Sequence, residues 1–138
     1  MKWLKWMLGL LAILVVVFFY INTVMINDAE RMSGFKQSEW WLYRFYVDKD
    51  IKGAPRISDN FYFEFRRMDG PSPEMSGIVF KGTTETTALE KYLTALGYHH
   101  VSNDEIGQRW EKEDRPVPCI YIWRDTKGDI ISLTKYSL

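Results

Sequence analysis

The chain of 138 residues has little of the chemistry that disulfide frameworks and metal centres require, because it contains one cysteine and two histidines. A single cysteine, Cys119, excludes an internal disulfide and a cysteine-rich zinc site. We expect it to be buried and structural, with a disulfide to another chain as the main alternative. His99 and His100 are adjacent, and neighbouring residues of a strand point to opposite faces. The sequence therefore predicts no metal site and no cofactor.

An excess of charge of one sign is also missing, since 18 lysines and arginines balance 18 aspartates and glutamates. Binding to nucleic acid calls for a basic excess gathered on one face, so nucleic acid is not an expected partner. The chain has no glycine-rich phosphate loop, no dinucleotide fingerprint and no GxSxG motif. We therefore expect a protein that is not an enzyme, and a small hydrolase is the weaker alternative.

A long uncharged segment lies near the start of the chain, where Trp6 to Ile26 are 21 residues without a charged side chain. As a helix with a rise of about 1.5 Å per residue, this segment spans roughly 30 Å, which is the thickness of the hydrocarbon core of a bilayer. The sequence predicts a transmembrane helix over residues 6–26 after a cytoplasmic stub of residues 1–5. Apolar and interfacial aromatic side chains form the expected membrane anchor: Trp6, Leu10, Leu14, Phe18 and Tyr20.

The charges on either side of this segment predict its orientation. Lys2 and Lys5 precede it, whereas Asp28, Glu30 and Arg31 follow it without a basic excess. Because positive charges stay on the cytoplasmic side, we expect an inner-membrane protein whose remaining chain is periplasmic. The alternative is a cleaved secretory signal, but signals usually have a shorter apolar core and small residues at the cleavage site.

The rest of the chain predicts a polar connector over residues 27–37 and an exported α+β domain over residues 38–138. We expect a small antiparallel sheet of about five or six strands packed on one helix, in the order three strands, one helix and three strands, with one further short strand after the helix. The predicted strands cover residues 39–48, 60–68, 77–81, 98–101, 108–112, 117–124 and 130–136, and the predicted helix covers residues 84–96.

Hydrophobic spacing supports the clearest of these elements. Phe61, Phe63 and Phe65 alternate with polar side chains, which is the period of a half-buried strand. In residues 84–96 leucines recur at helical spacing, and Gly97 follows where a helix commonly ends.

One face of the predicted sheet carries residue types that are enriched in protein interfaces. If alternate residues of the 39–48 strand face the core, the remaining ones face outward together with alternate residues of the next strand. The candidate partner surface consists of Trp40, Arg44, Tyr46, Tyr62 and Arg66. The simpler alternative is that these long side chains only shield a small sheet. The loop of residues 69–76 is a second binding candidate, although a plain connector is the favoured interpretation.

A short anchor followed by a small neutral domain resembles, in layout, many small bacterial envelope proteins, among them immunity proteins that protect a cell from an exported toxin. The resemblance implies a single-pass protein whose periplasmic domain binds another protein, in its narrower form an immunity-type inhibitor. The alternative is an accessory subunit of an envelope assembly for secretion, pilus formation or division.

Overall fold

The computed structural model describes residues 1–113 and 115–138, and within them four helices and six strands form an α+β arrangement. This confirms the predicted fold class. In chain order the elements are α1 (Lys2–Ala29), α2 (Trp40–Tyr46), α3 (Lys49–Lys52), β1 (Asn60–Arg66), β2 (Glu74–Lys81), α4 (Thr87–Ala95), β3 (His99–Asp104), β4 (Gly107–Lys112), β5 (Arg115–Asp125) and β6 (Ile130–Ser137).

The six strands form one antiparallel sheet in the order β1-β2-β6-β5-β4-β3. Strands that follow one another in the chain are neighbours in the pairs β1–β2, β3–β4, β4–β5 and β5–β6. The remaining pair is β2–β6, so β6 lies between β5 and β2. Outside β1, Phe35 pairs with Phe63 through an isolated antiparallel bridge, so this edge of the sheet is partly covered. The strand β3 forms the opposite edge.

The hydrophobic core lies on one face of the sheet, because alternate strand residues point toward the helices. Every buried helix residue in the described chain belongs to this core, including Leu42 of α2, Ile51 of α3 and Leu89 of α4. From the strands it receives aromatic and aliphatic side chains: Phe63, Phe65, Ile78, Phe80, Trp110, Ile120, Ile122, Ile131 and Leu133.

The prediction of a strand over residues 39–48 is wrong, because residues 40–46 form α2. Leu42 is buried, whereas Trp41 and Phe45, which the strand interpretation places inward, are exposed. The segment is apolar at almost every position, so its composition fits a helix and a strand equally well. Two strands, not three, therefore precede α4, and the core contains residues from three short helices where one was expected.

The predicted helix of residues 84–96 is confirmed as α4, although it begins later, at Thr87. The residue before it, Thr86, donates its hydroxyl hydrogen to Glu90 Oε1 over 2.7 Å and makes no side-chain cap bond to the backbone. Gly97 ends the helix in the left-handed region with φ +90°, as the sequence predicts.

The helix α1 is long and apolar enough to cross a membrane, judged by length and composition. Residues 1–24 are exposed along their whole length, and the anchor side chains predicted from the sequence all lie in this part. Only the end of the helix enters the domain, where Ile26 packs against the core and Ala29 is fully buried.

Candidate functional site

A set of bonded residues joins α1 to the domain, and we call residues 29–39 the junction. The Arg31 guanidinium donates from Nε to the carbonyl oxygen of Gly34 and from Nη2 to Glu39 Oε2, both over 2.6 Å. The backbone N–H of Lys36, together with this guanidinium, outweighs partial burial and lowers the pKa of Glu39. Residues 27–37 thus differ from the polar connector expected, since they contain the end of α1 and the buried Phe35.

The outer side of α2 carries three exposed rings, which we call the aromatic patch: Trp40, Trp41 and Phe45, with exposed fractions of 56%, 61% and 60%. Trp41 and Phe45 are stacked with ring centroids 5.8 Å apart, and Trp40 meets Trp41 edge to face at 4.7 Å. The inner side of the helix is fixed to the core by Tyr43 and Tyr46.

The sheet face opposite the core forms a second surface, which we call the open face. Its central row follows the strand register from Glu64 through Gly77, Thr134 and Tyr121 to Arg109. The buried residues of this face, such as Tyr121, do not belong to the main core. The row therefore crosses five strands and combines a carboxylate, small residues, a tyrosine and an arginine on one side of the sheet.

Hydrogen bonds hold one end of the open face in place. The Tyr121 hydroxyl donates to Asp104 Oδ2 over 3.1 Å and accepts from Arg109 Nη1 over 3.0 Å. Arg109 also donates from Nε to Glu111 Oε1 over 2.6 Å and from Nη2 to the Pro116 carbonyl oxygen over 3.0 Å. The bond to Glu111 is the main cause of the raised pKa of Arg109, and burial raises the pKa of Tyr121.

The other end of the row carries a half-buried carboxyl group. Burial raises the pKa of Glu64, and the nearby charge of Arg66 offsets this only in part. Tyr62 lies on the same side of β1, with Lys81 Nζ 5.3 Å from the centre of its ring. A partially desolvated carboxylate beside an aromatic ring is suited to receive a positively charged or hydrogen-bond-donating group.

The structure divides the five residues of the candidate partner surface between two places. Trp40 and Arg44 lie on the outer side of α2, whereas Tyr62 and Arg66 lie at alternate positions of β1 on the open face. Tyr46 is half-buried, with its ring 5.0 Å from that of Phe65. The single surface expected from the sequence is therefore corrected to two, because α2 is a helix and not a strand of the sheet.

Sequence reasoning missed several members of the open face, most clearly Tyr121, Trp123 and Tyr136. Tyr136 meets Tyr121 edge to face at 5.8 Å, and Trp123 follows on β5 with 39% of its surface exposed. The sequence does contain a signal for these residues. Cys119, Tyr121 and Trp123 alternate with the core residues Ile120 and Ile122, which is the pattern of a strand with two different faces.

Among the described residues the thiol and the imidazoles belong to different strands, Cys119 to β5 and His99 and His100 to β3. Burial raises the pKa of the Cys119 thiol, and His100 Nε2 lies 3.0 Å from Asn103 Oδ1. Across residues 1–113 and 115–138 no three His, Cys, Asp or Glu side chains are close enough to hold a metal ion. Ser132 and Lys135 have a Ser-x-x-Lys spacing, but they lie three apart on β6 and so point to opposite faces.

The second binding candidate, residues 69–76, divides between a turn and the start of β2. The backbone N–H groups of Asp69 and Ser72 each donate to the carbonyl oxygen of the other residue, over 3.1 Å and 3.0 Å. This closed turn lies near the junction, because Asp69 and Ser72 line a surface recess together with Glu30 and Arg66.

A buried charge cluster connects α3 to the sheet on the core side. Lys135 Nζ lies 2.7 Å from Asp50 Oδ2 and 3.0 Å from Asp48 Oδ1, and the Tyr98 hydroxyl donates to Asp50 Oδ2 over 3.0 Å. Burial raises the pKa of Tyr98 to about 12. Burial also tends to lower the pKa of Lys135, but its hydrogen bonds to the two carboxylates outweigh this and raise it. Each member bonds at least one other member, so the cluster serves the fold.

Comparison with known proteins gives no relative for this chain, since no family model, curated protein or solved structure is significantly similar to it.

Proposed function

We propose that this chain is a single-pass inner-membrane protein, with residues 1–5 in the cytoplasm and residues 38–138 in the periplasm, whose open face binds another protein. The membrane part of the proposal is supported by α1, an apolar helix of 28 residues in which residues 2–24 are all exposed. In water such a surface is unfavourable, whereas in lipid it is matched to its surroundings.

The single observation that carries the binding proposal is the central row of the open face. Tyrosine, tryptophan and arginine side chains dominate the energetics of protein interfaces. Here Tyr121 and Arg109 belong to the row, and Tyr62 and Trp123 lie beside it on the same face. The hydrogen bonds of Tyr121 and Arg109 fix these groups before a partner arrives, so little conformational entropy is lost on binding.

In its narrower form the proposal makes the partner an exported toxin and the domain an immunity-type inhibitor. The alternative partner is a subunit of an envelope assembly for secretion, pilus formation or division. An anchor suits both roles, because confinement at the membrane raises the effective concentration of the domain toward a partner that meets the same membrane.

The first test places a photo-crosslinking amino acid at Trp123 of the full chain, in the cells that produce it. We expect one discrete crosslinked protein, since Trp123 borders the central row and is partly exposed. A second variant, Glu64→Lys, should lower the yield roughly tenfold, because it reverses the charge at the other end of the row and costs about 1.4 kcal/mol or more. Mass spectrometry of the product distinguishes a toxin from an assembly subunit.

The matched control for this test is Glu85→Lys, which makes the same charge change at an exposed position outside the sheet. It should leave the crosslinking yield at Trp123 unchanged. An equal loss of yield in both charge variants, or a crosslinker at Lys91 of α4 that captures the same protein as the one at Trp123, would contradict the open face as the binding surface.

The second test concerns orientation and uses alkaline phosphatase, which is active only outside the cytoplasm, fused after Leu138. We expect an active fusion, because Lys2 and Lys5 favour a cytoplasmic start for the segment of residues 6–26. The reversed-charge variant Lys2→Glu/Lys5→Glu is the matched control and should lower the activity of the fusion. A stable but inactive fusion of the unaltered chain would rule out the proposed topology.

A further inference from the structure

The aromatic patch lies beside the last turns of the apolar segment of α1. The apolar part of one groove is lined by Ile21 and Met25 of α1 on one side and by Trp40 and Trp41 of α2 on the other. Its polar part is lined by Asp28, Ser38 and Glu39. The patch is therefore continuous with the surface that, under the proposed function, faces lipid.

The position of this groove fixes how deep the patch lies if α1 spans a bilayer. Ile21 precedes Ile26, the end of the uncharged segment, by five residues. At about 1.5 Å per residue this separation is roughly 7–8 Å along the helix. Side chains that reach the level of Ile21 therefore lie at the depth to which interfacial helices bury their apolar face, about 5–10 Å.

We propose that the aromatic patch inserts into the periplasmic headgroup region of the same bilayer, so that α2 lies on the membrane as a second point of attachment. This inference rests on the proposed membrane span. Tryptophan is enriched at membrane interfaces because its ring is apolar and its N–H is polar, and the patch presents two such rings with Phe45. Arg44 is exposed on the same helix, where its long side chain can reach lipid phosphates.

The rest of α2 keeps the patch directed outward. Tyr43 packs 5.2 Å from the Phe63 ring and Tyr46 packs 5.0 Å from the Phe65 ring, so the inner side of the helix is held by β1. Rotation of α2 to hide the three exposed rings would break these contacts. If α1 spans the bilayer, lipid already surrounds it beside the patch, so no further partner is needed to cover the three rings.

Membrane attachment at α2 would fix the tilt of the domain. With α1 as the only attachment, the chain can tilt in the bilayer in any direction, but a second contact at one side restricts that tilt. The open face then keeps a constant orientation toward the periplasm, which supports its proposed role in binding.

The test uses the full chain with Cys119→Ala and a single new cysteine that carries an environment-sensitive fluorophore, reconstituted in vesicles of phosphatidylcholine and phosphatidylglycerol. The informative position is Phe45→Cys, because Phe45 is exposed and its replacement leaves the core intact. Ile13→Cys reports on the centre of the apolar segment, and Thr126→Cys reports on the turn after β5. Spin-labelled lipids in the same vesicles quench only probes that touch lipid.

We expect the probes at positions 45 and 13 to be quenched roughly twofold or more, and the probe at position 126 to be unaffected. Quenching at position 13 without quenching at position 45 overturns the inference but leaves the membrane span intact. The inference is also overturned if the probe at position 45 is shielded from water yet not quenched, since another protein or a second copy of this chain then covers the patch. Absence of quenching at position 13 overturns the proposed span itself.

Discussion

Replacing Lys135 by methionine is expected to lower the free energy of unfolding by roughly 3–5 kcal/mol and the Tm by roughly 10–20 °C. Only 7% of Lys135 is exposed, and its Nζ bonds Asp48 and Asp50. Methionine fills a similar volume but leaves two partly buried carboxylates without a countercharge. Thermal unfolding of the full chain in detergent micelles, followed by near-ultraviolet circular dichroism, measures the change.

The pH dependence of this loss identifies its cause. Burial tends to raise the pKa of Asp50, but the hydrogen bond and charge of Lys135 and the hydrogen bond from Tyr98 outweigh it, so the pKa is lowered. A carboxyl group with a lowered pKa stabilises the fold above its unfolded pKa and loses that contribution as the pH falls through its folded pKa. The stability difference between the unaltered chain and the Lys135→Met variant should therefore shrink as the pH falls below 3.8, the ordinary pKa of an aspartate.

Two further variants separate the charge effect from a packing effect. Lys91→Met changes an exposed lysine on α4 and should alter the free energy of unfolding by no more than about 0.5 kcal/mol. The triple variant Asp48→Asn/Asp50→Asn/Lys135→Met removes every charge of the cluster and should recover most of the loss. If the triple variant is as unstable as the single one, unpaired charge is not the cause.

The strands that could be predicted from the sequence are those with one buried face. In β1 the three phenylalanines alternate with polar residues, and the period of two is visible without any tertiary information. In α2 the sequence has large apolar residues on both sides of the helix, because Leu42 is buried in the core and Trp41 is exposed. A segment that is apolar all round has no informative period, and the partner on each side decides its structure.

The candidate site could be predicted only in part, for a topological reason. Tyr62 and Arg66 were found from the alternation in β1, because that pattern is local. The central row also needs the strand order, in which β6 lies between β2 and β5. Strand order depends on contacts between residues distant in the chain, so neither Tyr121 nor Arg109 could be joined to Glu64 from spacing alone.

The sequence does not predict the junction, because the contacts that hold it join residues near one another in the chain and residues far apart. Arg31 and Glu39 are eight residues apart, and Phe35 pairs with Phe63, which comes much later in the chain. The polar composition of residues 27–37 favours a connector, and no local pattern indicates the buried position of Phe35. The consequence is functional, since a packed junction transmits the orientation of α1 to the domain whereas a loose connector would not.

Replacing Gly34 by alanine is expected to destabilise the domain by roughly 2–5 kcal/mol. Gly34 has φ +67°, a left-handed conformation that costs a residue with a side chain about 1–2 kcal/mol. A Cβ at this position would also lie 2.5 Å from the Phe63 carbonyl oxygen and would overlap the Tyr62 ring. Such overpacking adds about 1–3 kcal/mol, because β1 must move away from the junction.

Gly82→Ala is the matched control for this prediction, because Gly82 has a similar φ of +78° and open space where a Cβ would lie. Its cost should be limited to the backbone conformation, about 1–2 kcal/mol. Hydrogen exchange gives a local readout: in Gly34→Ala the amides of Phe35 and Phe63, which bond each other's carbonyl oxygens over 2.9 Å and 2.8 Å, should lose protection. In Gly82→Ala they should keep it. Equal destabilisation and equal protection in the two variants would mean that the junction yields to a methyl group, and a junction that yields could not hold the domain at a fixed orientation on α1.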